Sequence, residues 1–172
     1  NIEKAHFIGY SMGGWIGCCL AEFYPNRLQT LIIGGHCPET GTGEEISGDA
    51  SKTMYAADFL RDPKISSQIK LKKLSDGMKH CFDLLEDVYG HEKACANAGV
   101  PVLIWKGKGE TWICKKGEIV AKRNRFDFLS VDGDHIEAVM GKGLEASLNG
   151  LYNFIQTNST TGGTSSSSNS KL

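Results

Sequence analysis

The stretch HFIGYSMGGWIG, residues 6–17, decides the fold: an apolar run stops at a glycine, carries one serine and resumes with small and apolar residues. The run before the serine predicts a β-strand over residues 4–9, and the apolar spacing after it predicts a helix over residues 13–24. A strand that turns directly into a helix leaves little room for side chains. We therefore expect Gly9 and Gly13 to be glycines because the two elements approach closely there.

The serine between those glycines, Ser11, is a candidate nucleophile. A serine hydroxyl reacts poorly at neutral pH, so catalysis requires it to be exposed, fixed and close to a base. The sharp turn exposes and fixes it, and places the backbone N–H of Met12 at a helix N-terminus, where it can donate to an oxyanion. Two alternatives are a turn with an incidental serine and a phosphate-binding loop. The phosphate-binding loop is disfavoured, because the sequence has neither a GxGxxG motif nor the lysine of a P-loop.

The rest of the chain alternates predicted strands and helices. Apolar runs predict three more strands, over residues 28–35, 100–110 and 126–135. The spacing of apolar residues predicts a final amphipathic helix over residues 143–156. Its apolar face is expected to contain four residues: Leu144, Leu148, Leu151 and Ile155. Because strands joined by helical crossovers form a parallel sheet with helices on both faces, the predicted class is α/β.

The predicted organisation is one domain over residues 1–156, an insertion within it at about 36–98, and a tail at 157–172. The insertion is polar, and its best helix is expected over residues 74–90. It is either a helical segment packed on the sheet edge or a small cap over a pocket, since ligands bind at the carboxyl ends of strands in open α/β sheets. The Ser/Thr/Gly-rich tail is expected to be disordered.

Composition restricts the partners. The 172 residues are 40% hydrophobic and 23% charged, which is enough apolar material for a core. A formal net charge of -1 argues against nucleic acid and favours small neutral or weakly charged partners. No apolar stretch reaches the ~20 residues that span a bilayer, so no membrane span is expected. Six cysteines without CxxC spacing indicate reduced thiols in the cytoplasm and no metal site.

A histidine and an acid follow the serine, each after a predicted strand and in the order that a strand–serine–helix hydrolase requires. His135 ends the fourth strand and is the predicted general base. Glu110 ends the third strand and is the predicted acid that orients the histidine. Glu39, just after the second strand, is the rival acid. His36 is at most a residue that lines the pocket.

These segments resemble the α/β-hydrolase fold superfamily, in particular its small esterase-like members with a short helical cap. Four segments carry the resemblance: HFIGYSMGGWIG, AEFYPNRLQTLIIGG, PVLIWKGKGE and LSVDGDHIEAV. It extends to about residue 156 and is weak through the insertion. It implies the C-terminal part of that fold, because the superfamily has further strands before the serine turn, including one whose loop donates the second oxyanion N–H. The chain is therefore expected to be a fragment or a natural truncation. Where this chain has Glu110, the superfamily more often has aspartate.

The resemblance implies a serine hydrolase that cleaves a carboxylic ester or a related acyl bond of a small-molecule substrate. Ser11 attacks the carbonyl carbon, His135 takes its proton, Glu110 holds the imidazole, and the Met12 N–H stabilises the oxyanion. No cofactor and no metal are implied. An ester is the default substrate, while thioester, amide and C–C bonds stay open. The alternative is a truncated, non-catalytic α/β-hydrolase-like protein.

Overall fold

The computed structural model describes residues 2–39, 90–110, 114 and 116–159. The strands of this part are β1 (Ala5–Tyr10), β2 (Leu28–Gly34), β3 (Val102–Gly107) and β4 (Asp127–Val131). The α-helices of the same residues are α1 (Met12–Phe23), α2 (Glu92–Asn97), α3 (Gly117–Asn124), α4 (Glu137–Met140) and α5 (Leu144–Ser159). A 3-10 turn at Pro25–Arg27 leads into β2.

The four strands form one parallel sheet in the order β1-β2-β3-β4. In register, Tyr10 lies opposite Gly34, and Gly34 lies opposite Trp105. Because the strands are parallel, their carboxyl ends lie along one edge of the sheet, where loops that carry function are commonly placed. The predicted α/β class, a parallel sheet flanked by helices, is confirmed.

Helices cover the sheet on two faces. On one face, Cys18 of α1 and Cys95 of α2 pack with Leu31 of β2 in a buried cluster. On the other, Ile32 of β2 packs with β3 residues and with Leu151 of α5. Strands covered on both faces are apolar at successive positions, and β2 follows this rule because it is buried at every residue except its second.

The buried face of α5 differs from the prediction. Leu151 is buried, and Ile155 is partly buried against the same cluster. Leu144 and Leu148, however, are 39% and 57% exposed, so the expectation that they face the core is wrong. The helix is rotated so that Ser147 takes a core position instead.

Hydrogen bonds explain why a serine occupies that core position. The Ser147 hydroxyl accepts a bond of 3.0 Å from Trp105 Nε1 and donates one of 2.8 Å to the Ala138 carbonyl. A buried hydroxyl is tolerated when its donor and acceptor are both satisfied. The pair therefore fixes α5 to β3 and α4, which apolar spacing alone does not reveal.

The described residues include the C-terminal end of the predicted insertion and the start of the predicted tail. Helix α2 falls inside the predicted insertion of residues 36–98, yet its Cys95 is buried in the core, so this end belongs to the helical layer. Helix α5 continues to Ser159, past the predicted boundary at 157, and the Ser159 hydroxyl donates to the Ile155 carbonyl. Residues 40–89 of the insertion, which include all but the last residue of the predicted helix over residues 74–90, and residues 160–172 of the tail lie outside the described residues.

No helix of the described residues has the length and apolar character needed to cross a membrane. No group of three or more His, Cys, Asp or Glu side chains there is arranged to hold a metal ion.

Candidate active site

The serine turn joins β1 to α1 at the carboxyl edge of the sheet. Ser11 has φ 56° and ψ -117°, a conformation that costs free energy in a residue with a side chain and that characterises a nucleophile turn. Its N–H donates to the Gly34 carbonyl at 2.8 Å, and its carbonyl accepts from the Gly14 N–H at 2.9 Å. Neighbouring backbone therefore holds the strained residue in place.

The two glycines that flank the serine play different roles. A Cβ on Gly9 would overlap the carbonyl oxygen of Gly13, so the predicted need for glycine at position 9 is confirmed. A Cβ on Gly13 would meet nothing within 4 Å, and the corresponding prediction for Gly13 is wrong. Gly14 is the closely packed residue of this helix turn, because its Cβ would lie 2.8 Å from the His36 Cβ.

Met12 is the first residue of α1, directly after Ser11. The first N–H groups of a helix have no partner within the helix, and the helix dipole adds partial positive charge there. The Met12 N–H is therefore available, by helix geometry, to a negatively charged oxygen bonded to the serine.

His135 and Glu110 form a hydrogen-bonded pair at the same edge of the sheet. His135 Nδ1 lies 2.8 Å from Glu110 Oε1, and the two side chains are 13% and 0% exposed. A carboxylate only accepts hydrogen bonds, so Nδ1 carries the hydrogen and donates it. This tautomer leaves Nε2 of His135 without a hydrogen, as a general base requires.

The turns that carry this pair are bonded to each other through their backbones. The Gly109 N–H donates to the Gly133 carbonyl at 2.8 Å, and a Cβ on Gly107 would overlap the Asp134 backbone. The Lys106 ammonium donates to the Glu110 carbonyl at 2.8 Å. The acid and the histidine are therefore held in a fixed relation by main-chain contacts that only glycine permits.

Asp134 fixes the histidine loop from its other end. Its Oδ1 accepts bonds of 2.9 Å from the N–H groups of Glu137 and Ile136 at the start of α4. These bonds, that from Glu137 above all, hold the pKa of the Asp134 carboxyl below its usual value. The residue before His135 thus anchors the loop to a helix N-terminus.

Tyr10 connects the serine turn to the histidine, a role that the sequence analysis missed. Its hydroxyl donates to the His135 carbonyl at 2.7 Å, and the two rings lie 4.9 Å apart. On its other side, the ring packs 4.7 Å from Trp105. Gly35 leaves room for both rings, because a Cβ there would lie 2.7 Å from His135 Cε1 and 2.7 Å from Tyr10 Cζ. In the sequence, the signal for this role was an aromatic residue directly before the serine.

Glu39, the rival acid, is engaged elsewhere. Its carboxylate lies 3.4 Å from the Arg123 guanidinium and 4.0 Å from the Lys116 ammonium, both on the α3 side of the sheet. Glu110 is the carboxylate that bonds His135. The geometry therefore favours Glu110 over Glu39 as the acid.

His36 is buried against the first turn of α1, with 2% of its surface exposed. Burial lowers its pKa to about 4, and the charge of a protonated His91 would act in the same direction. The imidazole is therefore neutral at pH 7. This places the side chain against Gly14, in the first turn of the helix that follows Ser11.

The lowered pKa predicts acid sensitivity. The unfolded chain binds a proton at His36 from about pH 6.5 downward, whereas the folded protein resists until about pH 4. The free energy of unfolding should fall by about 2 to 3 kcal/mol between neutral pH and about pH 4.5 from this group alone. Urea titrations of the wild type and H36F at both pH values measure it. An equal loss in H36F would contradict the assignment.

The chain resembles known proteins in structure but not detectably in sequence. No protein-family model matches the sequence, and no curated protein sequence matches it. Among solved structures, the chain is similar to a carboxylesterase from Nitrososphaera gargenis (15% identity, 94% of this chain and 68% of that one, TM-score 0.70). An enol-lactonase from Burkholderia xenovorans LB400 matches 90% of this chain and 66% of its own (18% identity, TM-score 0.66).

A third similar structure is the α/β hydrolase MGS-M2 from a deep-sea metagenome library, with 14% identity over 97% of this chain and 68% of that chain (TM-score 0.63). The chain thus spans about two thirds of the length of these structures. Together with the parallel sheet and the serine turn, these matches show that the chain has the α/β-hydrolase fold, over the strands that it contains.

Proposed function

We propose that the protein is a serine hydrolase that cleaves a carboxylic ester or a related acyl bond. The observation that carries the proposal is the hydrogen bond from His135 to the buried Glu110, at the sheet edge where Ser11 sits in a strained turn. Fold similarity to a carboxylesterase and an enol-lactonase supports the same class of reaction.

Acylation begins at Ser11. Its Oγ attacks the carbonyl carbon of the substrate while His135 Nε2 takes the hydroxyl proton. The imidazolium that forms is stabilised by Glu110, and the negative charge on the tetrahedral oxygen is stabilised by the Met12 N–H. His135 then gives the proton to the leaving alkoxide, and the acyl group stays on Ser11.

Deacylation repeats these steps with water as the nucleophile. His135 takes a proton from water as the water oxygen attacks the acyl carbon, and His135 then gives that proton to Ser11 Oγ as the tetrahedral intermediate collapses and releases the acid. An ester or lactone is the favoured substrate, since the similar solved enzymes include a carboxylesterase and an enol-lactonase. Thioesters and amides pass through the same tetrahedral intermediate.

Substitution of the nucleophile tests the proposal. We expect Ser11→Ala to lower the turnover of a short-chain nitrophenyl ester by more than about 10⁴-fold, because no other group performs the attack. Ser130→Ala is a matched control, since Ser130 is an exposed serine in β4 that the mechanism does not use, and it should keep wild-type rates. Equal rates for Ser11→Ala and the wild type would refute the proposed nucleophile.

A further inference from the structure

A second group of a nucleophile, a base and an acid lies on the outer side of α1, apart from the Ser11 site. Cys19 Sγ lies 3.8 Å from His91 Nε2, and His91 Nδ1 lies 2.5 Å from Glu22 Oε2. Cys19 and Glu22 belong to α1, and His91 directly precedes α2. We propose that Cys19 is a modification site that forms a mixed disulfide with a low-molecular-weight disulfide, with His91 as its base.

The His91 imidazole has the orientation that a base for Cys19 needs. Because the Glu22 carboxylate only accepts hydrogen bonds, Nδ1 of His91 carries the hydrogen and donates it. Nε2, the nitrogen that faces the Cys19 sulfur, is left to accept a proton. The carboxylate also stabilises the imidazolium after the transfer, by the same logic that orients a base in cysteine and serine enzymes.

Exposure separates Cys19 from the other cysteines of the described residues. Cys19 is partly exposed, whereas the other described thiols are buried: Cys18, Cys37, Cys95 and Cys114. A thiol must be reachable to exchange with a disulfide in solution. The His91 side chain is 13% exposed and that of Glu22 is 43% exposed, so the cluster opens to solvent on the Glu22 side.

The electrostatics of the cluster make the base necessary. Burial raises the pKa of the Cys19 thiol, and the nearby Glu22 and Cys95 act in the same direction. Few Cys19 side chains are therefore ionised by simple loss of a proton to water at neutral pH. Transfer to His91 produces the nucleophilic thiolate beside a cation that Glu22 neutralises.

The exchange step is balanced within the cluster and the incoming disulfide. The Cys19 S–H proton moves to His91 Nε2, and Cys19 Sγ attacks one sulfur of the disulfide. A new S–S bond forms at Cys19 while the original S–S bond breaks. The leaving thiolate takes the proton from His91 and departs as a thiol. The bound adduct then lies at the junction of α2 and α1, the helix that directly follows Ser11.

Reaction with 5,5'-dithiobis(2-nitrobenzoic acid) tests the site on the full chain at neutral pH, with one equivalent of reagent and fragment-ion mapping of the adduct. Among the five cysteines of the described residues, we expect Cys19 to react first. His91→Gln should slow this reaction at least about tenfold, because general-base assistance is lost. Glu22→Gln should slow it as well. His6→Gln is the matched control and should leave the rate unchanged, because His6 lies on β1 and bonds Thr30 of β2, away from the cluster.

Two results would overturn the proposal. One is a first adduct on Cys18, Cys37, Cys95 or Cys114, the other cysteines of the described residues. The other is an unchanged Cys19 rate in both His91→Gln and Glu22→Gln. Cys18, the buried neighbour of Cys19 in the sequence, reports on folding, because it should react only if a variant opens the core. If His91→Gln opens the core, the rate of Cys19 modification in Glu22→Gln is the test of the proposal. Ser11 is not involved, so the outcome is independent of the proposed hydrolase activity.

Discussion

Replacement of Glu110 by glutamine is expected to lower ester turnover by about 10⁴-fold, the effect of the equivalent amide substitution in the best-characterised Ser-His-Asp triad. The amide keeps the shape of the side chain but can no longer hold His135 in the tautomer with hydrogen on Nδ1, nor stabilise the imidazolium. The Glu110 side chain is fully buried and bonds His135 at 2.8 Å. A water molecule therefore cannot replace the lost carboxylate as the partner of His135 Nδ1. Steady-state nitrophenyl ester hydrolysis measures the effect.

Glu39→Gln is the matched control for that experiment. Its carboxylate pairs with Arg123 and Lys116 at a partly exposed position, and such pairs contribute about 0 to 1 kcal/mol. Most of the activity should therefore persist. The opposite ranking would move the acid to Glu39. Wild-type turnover in both variants would mean that neither carboxylate serves the histidine.

Gly9→Ala should strongly lower the stability of the protein. A Cβ at this position would overlap the Gly13 carbonyl, and backbone atoms cannot move aside without separating β1 from α1. We expect a loss of about 3 kcal/mol or more in the free energy of unfolding. Denaturant unfolding followed by circular dichroism measures it.

Gly13→Ala is the matched control for Gly9→Ala. A Cβ at Gly13 meets nothing within 4 Å, and the residue lies within α1. Alanine is the better helix former, so this variant should be as stable as the wild type or more stable by about 0.5 to 1 kcal/mol. Similar stability losses in the two variants would contradict the close approach at Gly9.

Local signals in the sequence were sufficient to predict the four strands of the sheet. The first three strands begin and end within three residues of the predicted ranges, because their runs of β-branched and apolar residues are typical of buried strands. The fourth was predicted over residues 126–135 but ends at Val131, so His135 lies four residues past the strand. The strand, serine and helix around Ser11 were predictable for a similar reason. A glycine must stand where a strand and a helix touch.

Contacts between distant segments were not predictable. The choice between Glu110 and Glu39 depends on which loop faces His135, and that is a property of the folded sheet. The link from Tyr10 to the His135 carbonyl joins residues 125 positions apart. The buried face of α5 was assigned incorrectly because Ser147, a polar residue, occupies the core through two hydrogen bonds.

Covalent capture at Ser11 tests the central claim most directly. A fluorophosphonate probe reacts with a serine that a neighbouring base activates and an oxyanion site supports. Mass spectrometry of the treated protein should find one adduct, on Ser11, and Ser11→Ala should give none. An adduct that persists in Ser11→Ala would contradict the assignment of the nucleophile. A folded wild-type protein that forms no adduct would instead support a non-catalytic α/β-hydrolase-like protein.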